Sequence, residues 1–202
     1  MTDTERVQLM RAIRDEVVSL TSSPLYQERV SNSVHPVIGE GNHYASIMFV
    51  GEAPGRNEAQ TGRPFVGAAG KVLDELLSAV GIDRKDVYIT NIVKDRPPFN
   101  RDPLPEEIDA YGPFLDRQIE IIQPKVIATL GRFAMSYIMQ KMGLSDFLAP
   151  ISKNHGKSFT GKAPYGEVIV IPLYHPAVAV YNSTTKDTLK KDFEILKQWK
   201  AS

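Results

Sequence analysis

His175 stands in Leu173-Tyr-His-Pro-Ala177, directly after an apolar run and stiffened by the following proline. An imidazole so placed can be aimed at a substrate oxygen, although a lone histidine also serves structure. Asn91 closes another apolar run, Tyr88-Ile-Thr-Asn91. Its amide donates and accepts side by side, the pattern that reads one edge of a nucleobase; the same residue type also builds turns and caps. After it come Lys94, Arg96 and Arg101, spread over a loop that holds Pro97, Pro98 and Pro103. Such a loop offers phosphate contacts or is simply solvated. A third segment, Gly51-Glu52-Ala53-Pro54-Gly55, leads through Glu58 to Gly62-Arg-Pro-Phe65-Val-Gly67. It reads either as a turn-rich connection or as a backbone cradle for a flat ligand, with Phe65 as a stacking lid. The spacing is not that of a dinucleotide fingerprint. Gly67-Ala-Ala-Gly70-Lys71-Val72 lacks the spacing and the hydroxyl of a phosphate loop, so a triphosphate is excluded. His155, in Lys153-Asn-His-Gly156, reads as structural; His35 and His43 carry no pattern, and no metal-ligand spacing occurs.

These residues need a scaffold that brings them together. Four Ile/Val-rich runs, at 46–50, 87–90, 125–130 and 167–173, suit strands buried on both faces, as in a parallel sheet. Helical patterns lie between and around them, at 4–20, 68–80, 105–122, 131–142 and 186–200. Alternating strands and helices predict an α/β protein with a mostly parallel sheet and a single domain over residues 1–202. Working residues of such sheets sit beyond the carboxyl ends of the strands. Gly51–Gly55, the loop after Asn91, Gly131-Arg132 and His175-Pro176 all fall there. Their convergence on one rim marks the candidate site.

Composition narrows the choice. Lys plus Arg and Asp plus Glu are both 24, which excludes a strongly basic coat protein but not an enzyme with one basic face. Residues 151–200 hold eight lysines against Glu167, Asp187, Asp192 and Glu194, a local cationic excess. There is no cysteine, hence no disulfide framework, thiol nucleophile or Cys-ligated zinc or iron. No apolar stretch approaches the roughly 18 residues of a membrane span. A soluble cytoplasmic protein with no membrane partner is expected.

Taken together, Gly51-Glu-Ala-Pro-Gly55, Glu58, Gly62-x-Pro-Phe-Val-Gly67-x-Ala-Gly70, Ile89-Thr-Asn-Ile-Val-Lys94, Arg96-Pro-Pro-x-Asn-Arg-Asp-Pro103, Gln123-Pro-Lys-Val-Ile127, Leu130-Gly131 and His175-Pro176 resemble the iron–sulfur (family 4) uracil-DNA glycosylases of bacteria and archaea. The resemblance implies a three-layer α/β/α sandwich around a four-stranded parallel sheet. It also implies a monomer associated with the nucleoid, which flips uracil out of DNA and releases free uracil. Two departures stand out. The family's four cluster cysteines fall at Leu20, Ser23, Asp95 and Tyr111, so the four-iron–four-sulfur cluster is expected to be absent, its space filled by Leu20 and Tyr111. Ala59 replaces the usual acid after Glu58.

Carried over residue by residue, the uracil pocket comprises Gly51, Glu52, Ala53, Glu58, Phe65, Asn91 and His175. Phe65 stacks on the base, Asn91 donates to O4 and accepts from N3–H, and Glu58 obstructs the methyl of thymine. His175 stabilises the leaving anion at O2. Related branches carry Asp or Asn at the position of Ala53 to place the attacking water; here Glu52 is the candidate. Catalysis is thus assigned to His175, Glu52 and Asn91 with no cofactor. DNA contacts are expected from Lys94, Arg96, Arg101, Arg132 and the 177–182 segment, with Val178, Val180 or Tyr181 wedged in the minor groove beside Ala177. Two rival readings are a uracil-DNA binding protein without turnover, suggested by Ala53, and an enzyme of free nucleosides. A glycosylase acting on a wider range of deaminated bases is a third.

Overall fold

The computed structural model describes residues 2–199. Its helices are α1 (Asp3–Val18), α2 (Tyr26–Ser31), α3 (Arg56–Thr61), α4 (Ala68–Ala79), α5 (Pro105–Ile122), α6 (Arg132–Lys141), α7 (Ile151–Asn154) and α8 (Ser183–Phe193). The strands are β1 (Glu40–Gly41), β2 (Ile47–Gly51), β3 (Tyr88–Asn91), β4 (Val126–Leu130), β5 (Phe159–Ala163) and β6 (Gly166–Leu173). They form one sheet in the order β1-β3-β2-β4-β6-β5. Its four central strands run parallel, as the continuous apolar runs predict, and β1 and β5 add an antiparallel strand at each edge. The sheet is therefore mixed. The edge strands escape the sequence reading because β1 has only two residues and β5 buries only Gly161.

Both faces are covered, which explains the unbroken apolar strands. Met48, Val50, Ile127 and Val170 pack with Ile13 and Val17 of α1, Leu115 and Ile119 of α5 and Ile138 of α6. Their neighbours Ile47, Phe49, Val126, Ala128 and Ile171 point the other way, against Leu73, Leu76 and Leu77 of α4 and Leu189 and Phe193 of α8. The helix termini follow local chemistry. Thr2 and Glu5 form a reciprocal capping box on α1, and Pro105 opens α5. The last helical stretch breaks in two, α8 and a tighter turn at Glu194–Trp199; the expected end at Lys200 lies outside the described residues.

β2 sits between β3 and β4, so the chain leaves it first to one side and then crosses to the other. That is the switch point of the parallel core, where loops diverge and open a crevice.

Candidate active site

A cavity of about 440 Å³ opens at that crevice, lined by the 52–58 turn, Phe65, the start of α4, Asn91, Pro97, Asn100, Arg101, His175 and Ala177. Its size suits a compact ligand. The structure thus brings Glu52, Ala53, Glu58, Phe65, Asn91 and His175 to one place, with Gly51 beneath them. Arg56, Asn57 and Asn100 also line the cavity and were not singled out from the sequence.

Register puts Gly51 directly beside Asn91. A Cβ on Gly51 would lie 2.3 Å from Asn91 Oδ1 and 2.9 Å from the Phe65 ring, so only glycine lets the amide and the ring meet there. Asn91 is buried, and its Oδ1 has no hydrogen-bond partner. An unpaired buried amide oxygen costs about 1–3 kcal/mol, a cost that a ligand N–H would offset.

Phe65 adopts a left-handed backbone, φ 50°, which a bulky residue avoids. Three contacts hold it. Glu58 accepts from the N–H groups of Val66 and Gly67 at 2.9 and 2.8 Å, and Arg84 donates to the carbonyls of Pro64 and Phe65 at 2.6 and 3.1 Å. Gly70 completes the clamp, because a Cβ there would meet the Phe65 carbonyl oxygen at 1.9 Å. Glu58 therefore builds the turn that presents the ring, a task its position in sequence does not reveal.

His175 stacks on Phe65, centroids 5.5 Å apart. Its Nδ1 accepts from the Ala177 N–H at 3.1 Å, which leaves the neutral ring its proton on Nε2. Burial lowers its pKa to about 4, against a smaller upward pull from Glu58. The ring is thus a neutral donor. Glu52 behaves oppositely: burial, reinforced by Asp102, raises it to about 7, partly offset by Arg132. Arg132 itself pairs with Asp102.

The cations separate into two groups. Arg96, bonded to Asn100 Oδ1 at 2.6 Å, and the exposed Arg132 remain on the rim. Arg101 lines the cavity, held by a bidentate pair with buried Glu107 at 2.6 and 2.9 Å. Lys94 does not join them. Its side chain is 0% exposed. The ammonium donates to Asn91 O and Gln118 Oε1 at 2.7 Å and to Thr90 Oγ1 at 2.9 Å. Burial lowers its pKa to about 7. The expected phosphate contact is corrected: Lys94 is an internal strut that ties the end of β3 to α5. In the 177–182 segment, Ala177 and Val178 are exposed, Tyr181 is 98% exposed, and Val180 packs against the α4–α8 core. Val180 is therefore only partly exposed, unlike Val178 and Tyr181.

Of the four positions expected to have lost cysteine, Leu20 and Tyr111 are packed as expected, but the polar bonding among Ser23, Asp95 and Tyr111 was not foreseen. Leu20 packs at the edge of the core as foreseen. The other three form a buried polar chain: Ser23 Oγ and Tyr111 OH share a hydrogen bond, and Tyr111 donates to Asp95. Arg29, unforeseen, pairs with Asp95 at 3.1 Å and donates to the carbonyls of Val17 and Val18. Burial raises the pKa of Asp95 and of the Tyr111 phenol. An alkyl, a hydroxyl, a carboxylate and a phenol, three of them bonded to one another, do not fit an iron–sulfur cluster. Among the described residues no group of acidic or histidine side chains could hold a metal.

Comparison with known proteins gives the context. The sequence profile of the Uracil DNA glycosylase superfamily matches residues 38–199. A Type-4 uracil-DNA glycosylase of Sulfurisphaera tokodaii is 48% identical over 94% of this chain and 84% of its own length. Its counterpart in Saccharolobus solfataricus is 46% identical over 92% and 84%. That of Thermotoga maritima is 44% identical over 90% and 88%.

Proposed function

Because the chain belongs to the uracil-DNA glycosylase superfamily, we propose that its cavity receives a uracil swung out of DNA and that the enzyme hydrolyses its N-glycosidic bond. The orphaned Asn91 Oδ1 carries this reading. It accepts the uracil N3–H, while the amide N–H beside it donates to O4; cytosine presents the reverse of both. Phe65 supplies the stacking face, fixed in advance by Glu58 and Arg84. As the bond from sugar C1′ to uracil N1 lengthens, the electron pair passes to the base. His175 Nε2–H faces the growing charge at O2, and a neutral donor can stabilise an anion without handing over its proton. Water attacks C1′, and its proton leaves through ionised Glu52 or solvent.

The rim supports the DNA. Arg96, Arg101 and Arg132 meet phosphates, and exposed Val178 and Tyr181 stand where a wedge would hold the duplex open. The enzyme works as a single chain, releases free uracil and leaves an abasic site. It needs no cluster, because the polar chain from Ser23 to Arg29 does the local structural work.

The test is a cleavage assay on oligonucleotides carrying uracil, thymine or cytosine, with alkali to reveal abasic sites. The parent should act on uracil alone. Asn91→Asp should lose most uracil activity, since a carboxylate opposite O4 is repulsive where water cannot screen it. Parental activity in that variant would show that Asn91 does not read the base.

A further inference from the structure

Phe99 is 97% exposed, whereas Phe49, Phe65 and Phe193 are buried. Its backbone is left-handed, φ 56° and ψ 19°, and Asn100 follows at φ 56°. Two consecutive non-glycine residues in that region are disfavoured, and a bulky ring makes it worse. The ring gains no packing in return. Strain without compensating contacts within the fold points to a use outside it.

The loop is built to hold the ring rigidly. Pro97 and Pro98 precede it, Asn100 N–H donates to Pro97 O at 3.1 Å, and Arg101 N–H donates to Pro98 O at 3.1 Å. Arg96 Nε ties down the Asn100 side chain, and Glu107 anchors Arg101. Pro97 and Asn100, which bracket Pro98 and Phe99, line the cavity. Phe99 therefore projects from the cavity's rim between two arginines, on a loop distinct from the one that bears Tyr181.

We propose that Phe99 is a second DNA-contacting aromatic, its ring stacking on a nucleobase next to the extruded uracil. The claim rests on the glycosylase reading of the cavity. Every base offers a π face, so the contact is indifferent to sequence. The flanking arginines suit the phosphates on either side. A ring already fixed in place loses little freedom on binding, so most of the stacking energy appears as affinity. Uracil capture then has two aromatic supports: Tyr181 at the vacated position and Phe99 on a neighbouring base.

The experiment uses the full chain with Phe99→Gly and Phe99→Trp. Glycine relieves the backbone strain, so the variant should melt no lower than the parent, which separates loss of contact from loss of fold. Its affinity for single-stranded oligonucleotide bearing an abasic analogue should fall about tenfold, the size expected for one lost stacking partner. The slope of affinity against salt should stay the same, because no charge is removed. KM for uracil DNA should rise by a larger factor than kcat falls. Phe99→Trp should restore affinity, and its emission should be quenched by DNA beyond any change at Trp199. Parental affinity in Phe99→Gly together with an unquenched Trp at 99 would overturn the proposal. A parent that binds DNA but does not excise uracil would instead overturn the glycosylase reading; quenching would still decide the role of Phe99.

Discussion

His175 and Glu52 share one cavity, and burial moves them in opposite directions, to about 4 and about 7. Their effects on stability oppose each other. Lowered from 6.5, His175 resists protonation in the fold, so a penalty grows as pH falls from 6.5 to 4. Raised from 4.5, Glu52 resists ionisation, so its penalty grows as pH rises from 4.5 to 7. Rates distinguish them better. If ionised Glu52 receives the water's proton, single-turnover excision should rise with pH through about 7 and then level off, and Glu52→Gln should abolish that rise. His175→Ala should be about a hundredfold slower at every pH, since the neutral donor is present throughout. A profile that falls through pH 6.5 in the parent and not in His175→Ala would contradict the neutral assignment. His175, Asn91 and Phe65 were legible in the sequence because each sits at a strand end or in a glycine-rich turn. Arg29 and Gln118 were not: their partners are 66 and 24 residues away, and no local pattern reports that.

Between elements, Lys94 is the plainest case. It lies in a segment of cations and prolines that reads as surface, yet it bonds the end of β3 to Gln118 of α5 and to the Ile38 carbonyl. Lys94→Met should leave buried acceptors unpaired and lower the unfolding free energy by about 1–3 kcal/mol in a denaturant titration. The salt dependence of DNA binding should not change. A slope reduced by about one would return Lys94 to the phosphates. The parallel strands and the long helices could be read because their apolar periods are strong; α5 begins and ends where the sequence places it. The antiparallel edges, α2, α3 and α7 could not, since strands and helices this short are fixed by their neighbours rather than by a pattern of their own.

At the scale of the whole molecule, the chain Ser23–Tyr111–Asp95–Arg29 fastens the end of α1 and α2 to α5 and to the loop that carries Pro97, Asn100 and Arg101 into the cavity. Breaking one side of the buried Arg29–Asp95 pair should cost about 3–5 kcal/mol. The purified protein should be colourless and free of iron, and excess EDTA should leave excision unaffected. Stoichiometric iron with broad absorbance near 400 nm, or activity restored by a divalent ion, would refute this. A fold fastened by oxygen and nitrogen instead of thiolate should also change what the cell must supply. Its activity should therefore mature in the cell without iron or sulfide. Peroxide finds no thiol to oxidise, only six methionines. Scarcity of metal and excess of oxidant, which disable proteins built around a cluster, should leave this one at work.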